Sequence, residues 1–244
     1  MTVTPTNPGN WLQVTVNTCT GISSSTASVD FVNGPGTPPL GSGSVRLALG
    51  ANGDSFVVLI NTALDGVPLS ALTALTYSTY VPAFVSPRQV PQIVLSIDVN
   101  GNHTAFDQLI FEPVFQDGTA PGDPVPVQGP VAAGTWQTWN AAAGGWWPLF
   151  TQNGPPLVTL ATYRAAHPAA VITGPDVAVM IGCRGNLNWT GYQASVDNVT
   201  MTANSTTTTY DFEVSSPIPA VNKWLLLAAA LGMTALGMWR LRVG

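Results

Sequence analysis

Much of the chain alternates apolar and polar residues with a period of two. The alternation is clearest at residues 12–16, 45–49 and 93–99, where every second side chain is apolar. A period of two predicts β-strands with one buried face and one solvated face. Apolar and β-branched residues predict further strands at 27–32, 56–60, 72–81, 106–115, 135–140, 177–183 and 192–202.

The last of these strands contains a change of phase. Its apolar residues fall on even positions up to Val196 and on odd positions from Val199. One extra residue in a strand predicts a β-bulge, here at Asp197-Asn198. Asn-Gly and Asp-Gly pairs predict turns between strands at 33–34, 52–53, 100–101 and 117–118.

The number of strands determines the expected fold class. Only residues 157–167, followed by Pro168, read as a short helix. The strands are too many for one open sheet, so we predict an all-β fold, a two-sheet antiparallel β-sandwich of jelly-roll type. We divide the chain into a β-sandwich at 1–201, a last strand with a Thr/Ser/Pro stalk at 202–219, and a C-terminal transmembrane helix at 220–244.

The C-terminal segment is uncharged from Trp224 to Trp239. As a helix, this run would be about 24 Å long, slightly short of a ~30 Å hydrocarbon core. Lys223, Arg240 and Arg242 flank it and can snorkel to the interfaces, where the terminal tryptophans also favour the headgroup layer. The pattern predicts a single membrane span, and a buried core helix is the alternative.

A short motif precedes the span. Ile218-Pro219, Trp224, the apolar run and the basic residues Arg240 and Arg242 follow one another in this order. The segment resembles the Ile-Pro-Thr-Leu relatives of bacterial PEP-CTERM sorting tails. That resemblance implies export, transient anchoring in the membrane and removal of the tail by a membrane sorting protease.

Charge and composition favour an exported location. Residues 1–215 contain four arginines and no lysine against twelve carboxylates, a net charge of −8 that excludes electrostatic binding of nucleic acid or of an anionic bilayer. Charged residues make up 8% of the chain, where about 25% is usual. No secretory leader is visible at the N-terminus, so a tail-anchored protein with its bulk in the cytosol is the alternative.

Two cysteines, Cys19 and Cys183, are the only ones in the chain. In an oxidising compartment this pair predicts a disulfide that ties the two ends of the domain together. In the cytosol both would be buried thiols.

Two segments near the end of the sandwich carry a second resemblance. Ser195-Val-Asp-Asn-Val-Thr and Thr209-Tyr-Asp-Phe-Glu213 resemble the closing strands of jelly-roll modules in bacterial secreted proteins and in lectin-like carbohydrate-binding domains. Residues 64–80, 111–115 and 134–139 are similar to a module of uncharacterised bacterial exported proteins. This resemblance implies the sandwich fold but names no activity.

Side chains suited to catalysis are sparse. Glu112 and Glu213 are the only glutamates, and their spacing in the sequence does not predict the pair of catalytic carboxyl groups that a glycosidase uses. No G-x-S-x-G motif occurs, so the sequence does not predict a catalytic serine triad. His103 and His167 are isolated, so it does not predict a histidine zinc site either. We therefore assign no catalytic residue.

Four tryptophans lie close together in sequence: Trp136, Trp139, Trp146 and Trp147. Flat indole faces beside polar residues can stack on sugar rings, so the four form a candidate glycan platform. The alternative is that they are divided between core and surface and close one end of the sandwich.

Residues 98–107 are a candidate calcium site. Asp98, Asn100, Asn102 and Asp107 offer the hard oxygen ligands that calcium prefers. The Asn100-Gly101 pair alone explains a hairpin turn, and the sequence favours the turn.

Together these features predict a non-catalytic protein of the bacterial cell surface or extracellular matrix. The sandwich would bind glycans such as exopolysaccharide, or pack against copies of itself. The alternative is a secreted glycan-active enzyme, similar to a glycoside hydrolase, with an unrecognised site.

Overall fold

The computed structural model describes residues 1–16, 27–50, 55–83, 90–152, 154–182 and 189–215. These ranges form two seven-stranded sheets with a shared apolar core and a single short α-helix. Every strand pair is antiparallel except β1 with β14, at the edge of one sheet. The prediction of an all-β, two-sheet sandwich is confirmed.

In chain order the strands are β1 (Thr2–Val3), β2 (Trp11–Val16), β3 (Ser28–Asn33), β4 (Gly43–Ala48), β5 (Phe56–Asn61), β6 (Leu72–Tyr80), β7 (Gln92–Asp98), β8 (Phe106–Phe111), β9 (Trp136–Asn140), β10 (Gly145–Pro148), β11 (Val158–Thr159), β12 (Val171–Gly182), β13 (Gln193–Ala203) and β14 (Thr206–Phe212). Sheet 1 has the order β1-β14-β13-β4-β3, and β6 followed by β9 pairs with the other edge of β13. Sheet 2 has the order β11-β10-β8-β7-β12-β5-β2. The chain crosses between the sheets repeatedly, as in a jelly roll.

The bulge predicted at Asp197-Asn198 is confirmed. Asn198 has a φ of 53°, and the pairing of β13 with β6 shifts register between Asp197 and Thr200. Residues 193–196 of β13 pair with β4, and residues 199–203 pair with β14. The bulge therefore marks the point at which one edge of β13 changes partner.

The helix α1 (Leu160–Ala166) lies inside the predicted range. It begins after Thr159, whose hydroxyl accepts the amide N–H of Thr162 at 3.0 Å, a standard N-cap. The strand predicted at 106–115 is shorter in the structure, because Pro113 lacks an amide hydrogen and begins a 3₁₀ turn, Pro113–Phe115. A second 3₁₀ turn is Leu69–Ala71.

Two apolar layers hold the sandwich together. The larger lies between the sheets and includes Leu47, Val196, Leu59 and Val179, all fully buried. Burying each such side chain contributes about 1.5–3 kcal/mol. The smaller layer lies on the outer face of sheet 2 and consists of Val58, Val94, Ile110, Trp147, Leu157 and Ala178.

Several predictions fall outside the described ranges. Within those ranges, no helix is long and apolar enough to cross a membrane. The predicted span and the predicted disulfide lie in the remainder of the chain, as do all the residues concerned: Cys19, Cys183, Ile218, Pro219, Trp224, Arg240 and Arg242.

Candidate functional site

Five residues from five neighbouring strands form one row across the outer face of sheet 1. Asp30 pairs with Arg46, Arg46 with Ser195, Ser195 with Tyr80, and Tyr80 with Trp136. Directly paired residues point to the same side of a sheet. The row, called here the sheet 1 row, therefore places an ion pair, a hydroxyl and two aromatic rings side by side.

The two aromatic rings lie at one end of the row. The ring centroids of Tyr80 and Trp136 are 5.7 Å apart with the planes tilted by 54°. Both side chains are half-buried, and the indole N–H of Trp136 donates to the carbonyl oxygen of Pro35 at 2.9 Å. This hydrogen bond fixes the orientation of the ring while leaving part of it accessible.

The ion pair lies at the other end of the row. Nη2 of Arg46 donates to Oδ2 of Asp30 at 2.9 Å, and the side chains are 43% and 42% exposed. Hydrogen bonds from Arg46 and then from Ser28 hold the pKa of Asp30 below its ordinary value. Nε of Arg46 is buried and has no hydrogen-bond acceptor among the described residues, so a ligand would contact the exposed part of the guanidinium group rather than Nε.

A cleft of about 270 Å³ opens beside the row. Arg46, Ser195, Gln193, Asn33 and Pro35 contribute to its walls. Pro35 also accepts the hydrogen bond from the Trp136 indole, so Trp136 contacts a residue of the cleft wall, although neither Trp136 nor Tyr80 lines the cleft itself. A concave site with a few polar groups beside aromatic rings has the usual composition of a small-ligand site.

A strap, residues 34–42, crosses the outer face of sheet 1 and forms one side of this cleft. The amide N–H of Leu40 donates to Oδ2 of Asp197 at 3.0 Å. The amide and the hydroxyl of Ser42 donate to the carboxylate of Glu213 at 2.6 and 3.2 Å. Ser44 also donates its hydroxyl hydrogen to the carbonyl oxygen of Gly34. Side chains of the underlying strands thus hold both ends of the strap.

The strap lies against the sheet too closely for a side chain at Gly43. A Cβ atom there would lie 2.6 Å from the carbonyl oxygen of Phe212 and 2.8 Å from Oε2 of Glu213. At Gly41, with φ +52°, a Cβ would overlap the same carboxylate. Glycine is required at these positions because only its bare backbone fits.

Asp197 is the most deeply buried of the carboxylates under the strap. Its Oδ1 also accepts the amide N–H of Phe212 at 3.2 Å. Burial raises the pKa of Asp197 to about 6. Burial, and then the nearby Glu213, raises the pKa of Asp211. Two of the groups beneath the strap thus bind protons more tightly than in an unfolded chain.

Three of the four tryptophans proposed as a platform are buried. Trp139, Trp146 and Trp147 are 1%, 0% and 2% exposed. Their indole N–H groups donate to Thr79, to the Ala141 carbonyl and to Glu112, at 2.9, 2.8 and 3.2 Å. These three rings are core residues and cannot stack on a ligand, so the four do not form one platform. Trp136 alone is accessible, beside Tyr80.

The residues proposed for calcium are not brought together. Asp98 pairs with Phe106, and so Asp107 points to the opposite face of the sheet. The carboxylate of Asp98 accepts the amides of Gly101 and His103 at 3.1 and 2.8 Å, which closes the hairpin turn. In the described part of the chain, no group of three or more His, Cys, Asp or Glu side chains is arranged to hold a metal ion.

A second cleft, of about 380 Å³, lies between α1 and the β7–β8 hairpin. Asp107 forms part of its wall, and its oxygens accept hydrogen bonds from the amides of Gln108 and Phe150 and from the hydroxyl of Tyr163. Burial raises the pKa of Tyr163. This carboxylate is already engaged by the fold and is a poorer ligand group than the sheet 1 row.

Sequence reasoning identified Trp136 but missed the other four residues of the row. Arg46 and Asp30 lie on predicted strands, and the alternation at residues 45–49 places Arg46 on the solvated face. The missing information was the strand order, which local sequence does not contain.

The fold is similar to those of several solved carbohydrate-binding modules. One is the family 11 carbohydrate-binding module of the cellulosomal cellulase Lic26A-Cel5E of Clostridium thermocellum, with 12% identity over 80% of this chain and 88% of that chain and a TM-score of 0.41. The tandem CBM22 domains of Paenibacillus barcinonensis Xyn10C match with 13% identity over 81% and 47%, and a TM-score of 0.41. A β-1,2-glucanase from Parabacteroides distasonis matches with 13% identity over 80% and 23%, and a TM-score of 0.36.

No protein-family model matches the chain, and neither does any curated protein sequence. Structural similarity at these identities and TM-scores does not place the chain in a family. Any function must be argued from the site itself.

Proposed function

We propose that this protein is a non-catalytic glycan-binding protein of the bacterial cell surface or extracellular matrix, and that the sheet 1 row is its binding site. The observation that carries the proposal is the placement of a half-buried aromatic pair and an Arg–Asp ion pair in one row beside a cleft. A sugar ring needs both, because it has an apolar face of C–H groups and a rim of hydroxyls.

The chemistry of the row favours an uncharged glycan. Tyr80 and Trp136 supply ring faces, Arg46 and Ser195 supply hydrogen-bonding groups, and Gln193 adds another in the wall of the neighbouring cleft. The one cation in the row is already paired with Asp30, and residues 1–215 carry a net charge of −8. An acidic polysaccharide would be repelled by this field, whereas a neutral one would not.

The single carboxylate of the row supports a binding role over hydrolysis. Glycosidases use two carboxyl groups, about 5–5.5 or 6.5–9.5 Å apart, one of them kept protonated as an acid. Asp30 is bonded to Arg46 and its pKa is lowered, so it is poorly suited to donate a proton.

The C-terminal segment supports a location at the cell exterior. The uncharged run from Trp224 to Trp239, with basic residues beyond it, supports a C-terminal membrane helix that holds the sandwich at the cell exterior. The Ile218-Pro219 motif supports cleavage by a sorting protease. The low content of charged residues supports export.

The test is binding of the detergent-solubilised full chain to an array of neutral and acidic glycans. Replacing Trp136 or Tyr80 with alanine should weaken binding about tenfold, or about 1.4 kcal/mol. Phe150→Ala is the control, because Phe150 is an aromatic residue on a loop with 65% exposure. Equal binding by Trp136→Ala, Tyr80→Ala and the wild type would contradict the site. Release of reducing ends from a bound glycan would contradict the non-catalytic role.

A further inference from the structure

The outer face of sheet 2 carries an apolar surface that glycan binding does not use. Three rows of directly paired residues cross it from the edge strand β2 inward. The rows are Leu12–Ile60–Ala178–Val94, Val14–Val58–Met180 and Val16–Phe56. We call these nine residues the β2 patch.

Exposure of the β2 patch rises toward the edge strand. Ala178 and Val58 are only 4% and 7% exposed. Val14 is 36% exposed and Leu12 is 55% exposed. Over β8 and β10, loops cover the apolar outer layer of sheet 2. The same layer continues to the edge strand β2, and its residues become more exposed toward that edge.

Among the residues that the structure describes, the outer edge of strand β2 is unpaired. The strand pairs with β5 in unbroken register over six residues, and its other edge has no partner strand in the described part of the chain. Edge strands are usually protected from pairing by a charge, a proline or a bulge. The sequence of β2, Trp-Leu-Gln-Val-Thr-Val, has neither a charge nor a proline, and its register with β5 shows no bulge.

The charge distribution indicates what fits this edge. None of the nine residues of the β2 patch is ionisable, although residues 1–215 carry a net charge of −8. Two copies of the chain can therefore meet here without placing like charges opposite each other, while an ionic partner finds no counter-charge. A strand with the same free backbone groups and the same uncharged side chains is the best match, and a second copy supplies one.

We propose that β2 of one copy pairs antiparallel with β2 of a second copy about a two-fold axis, so that sheet 2 continues from one copy into the other. An isologous contact of this kind uses the same surface on both copies. It pairs the free N–H and C=O groups of both edges and places Leu12, Val14 and Val16 of the two copies side by side.

The size of the patch favours edge pairing over face-to-face stacking. Nine residues on one face of a sheet cover roughly 290 Å², because each occupies one strand spacing by twice the rise per residue. A stable interface needs about 800 Å² per partner, so stacked patches alone would be too small. Edge pairing adds backbone hydrogen bonds to the apolar contact, and the dimer should be reversible and concentration-dependent.

The test is sedimentation velocity of the full chain in detergent solution over a concentration series. Val14→Lys places a lysine of one copy beside the same lysine of the second copy across the two-fold axis. Repulsion between the two charges should raise the dimer dissociation constant at least tenfold. Val127→Lys is the matched control, because Val127 is 68% exposed on a loop outside both sheets and should leave the constant unchanged.

Hydrogen exchange provides a second measurement on the unmodified chain. Protection of residues 11–16 should rise with protein concentration, while that of β9, at the edge of the other sheet, should not. A wild-type chain that stays monomeric overturns the proposal, as does a dimer that persists equally in Val14→Lys. Trp136→Ala should retain the dimer, so loss of glycan binding and loss of dimerisation are separable.

Discussion

The outer faces of the two sheets are built by the same alternation, yet their chemistry is opposite. Sheet 1 presents hydroxyls, an ion pair and two half-buried aromatic rings, and a strap is held over it by carboxylates. Sheet 2 presents mainly Val, Ile, Leu and Met on β2, β5 and β12, and part of this face is a second apolar core around Trp147. A polar face can bind a hydrated ligand, whereas an apolar face must be covered by loops or by a partner.

The largest difference should appear when the same residue type is truncated on each face. Trp147→Ala removes a fully buried ring from the outer core of sheet 2 and should destabilise the fold by about 3–5 kcal/mol. Trp136→Ala, on a half-buried ring of sheet 1, should cost much less while reducing glycan binding. Denaturant unfolding of both variants measures the contrast. Equal losses of stability would mean that the two faces do not differ in this way.

The buried carboxylates under the strap should make stability depend on pH. The pKa of Asp197 is about 6 in the fold and 3.8 in its ordinary state, so the native protein holds a proton that the unfolded chain has lost. Stability should therefore fall by about 3 kcal/mol as pH rises from about 4 to about 6, and Asp211 acts in the same direction. The pKa of Asp30 is lowered in the fold, so Asp30 changes the stability only at pH values below this range.

The measurement is the free energy of unfolding between pH 4 and pH 7. Asp197→Asn removes the titrating group and should flatten most of the slope. A wild-type profile that is flat, or that rises through this window, would show that Asp197 is not desolvated by the strap.

A smaller effect should follow from adding one methyl group under the strap. Gly43→Ala forces a Cβ to within 2.6 Å of the Phe212 carbonyl oxygen and should destabilise the protein by about 1–3 kcal/mol. Gly174→Ala in sheet 2 is the control, since its Cβ would meet Asp176 at an ordinary 3.7 Å. Thermal melting compares the two. Similar melting temperatures for both variants would show that the strap can move away from the sheet.

The smallest effect is expected from calcium. The carboxylate of Asp98 already accepts two amides of its own hairpin, and Asp107 lies on the other face of the sheet. Adding and then chelating calcium should leave the melting temperature unchanged. A reproducible increase with calcium, abolished by Asp98→Asn, would support the calcium site considered from the sequence.

Some of the fold could be predicted because its causes are local. The period of two located most of the strands, and the change of phase near Val196 located the bulge. Prolines mark the ends of two elements. Pro168 follows the helix, as expected, and Pro113 ends the preceding strand earlier than predicted. The short strands β1, β10 and β11 were not predicted, because two to four residues are too few to show a period.

The candidate site could be predicted only in part. The four tryptophans were proposed as one glycan platform, with division between core and surface as the alternative, and which of them are buried depends on loops that lie elsewhere in the chain. Trp147, for example, is covered partly by Leu157, on a later segment. The alternation at residues 45–49 placed Arg46 on the solvated face, yet nothing in the sequence indicated that Asp30, Tyr80 and Trp136 would lie in the same row.

The sequence by itself determined the all-β class, the approximate strand positions, the bulge and the acidic, low-charge character of the body. Each of these depends on backbone geometry and side-chain chemistry over a few neighbouring residues. The tertiary structure decided which strands are neighbours. That order brings residues as far apart as Asp30 and Ser195 into one row, and it leaves the apolar edge of β2 at the end of its sheet. The physical reason is that strand pairing joins distant segments, and the burial of the whole core selects the pairing.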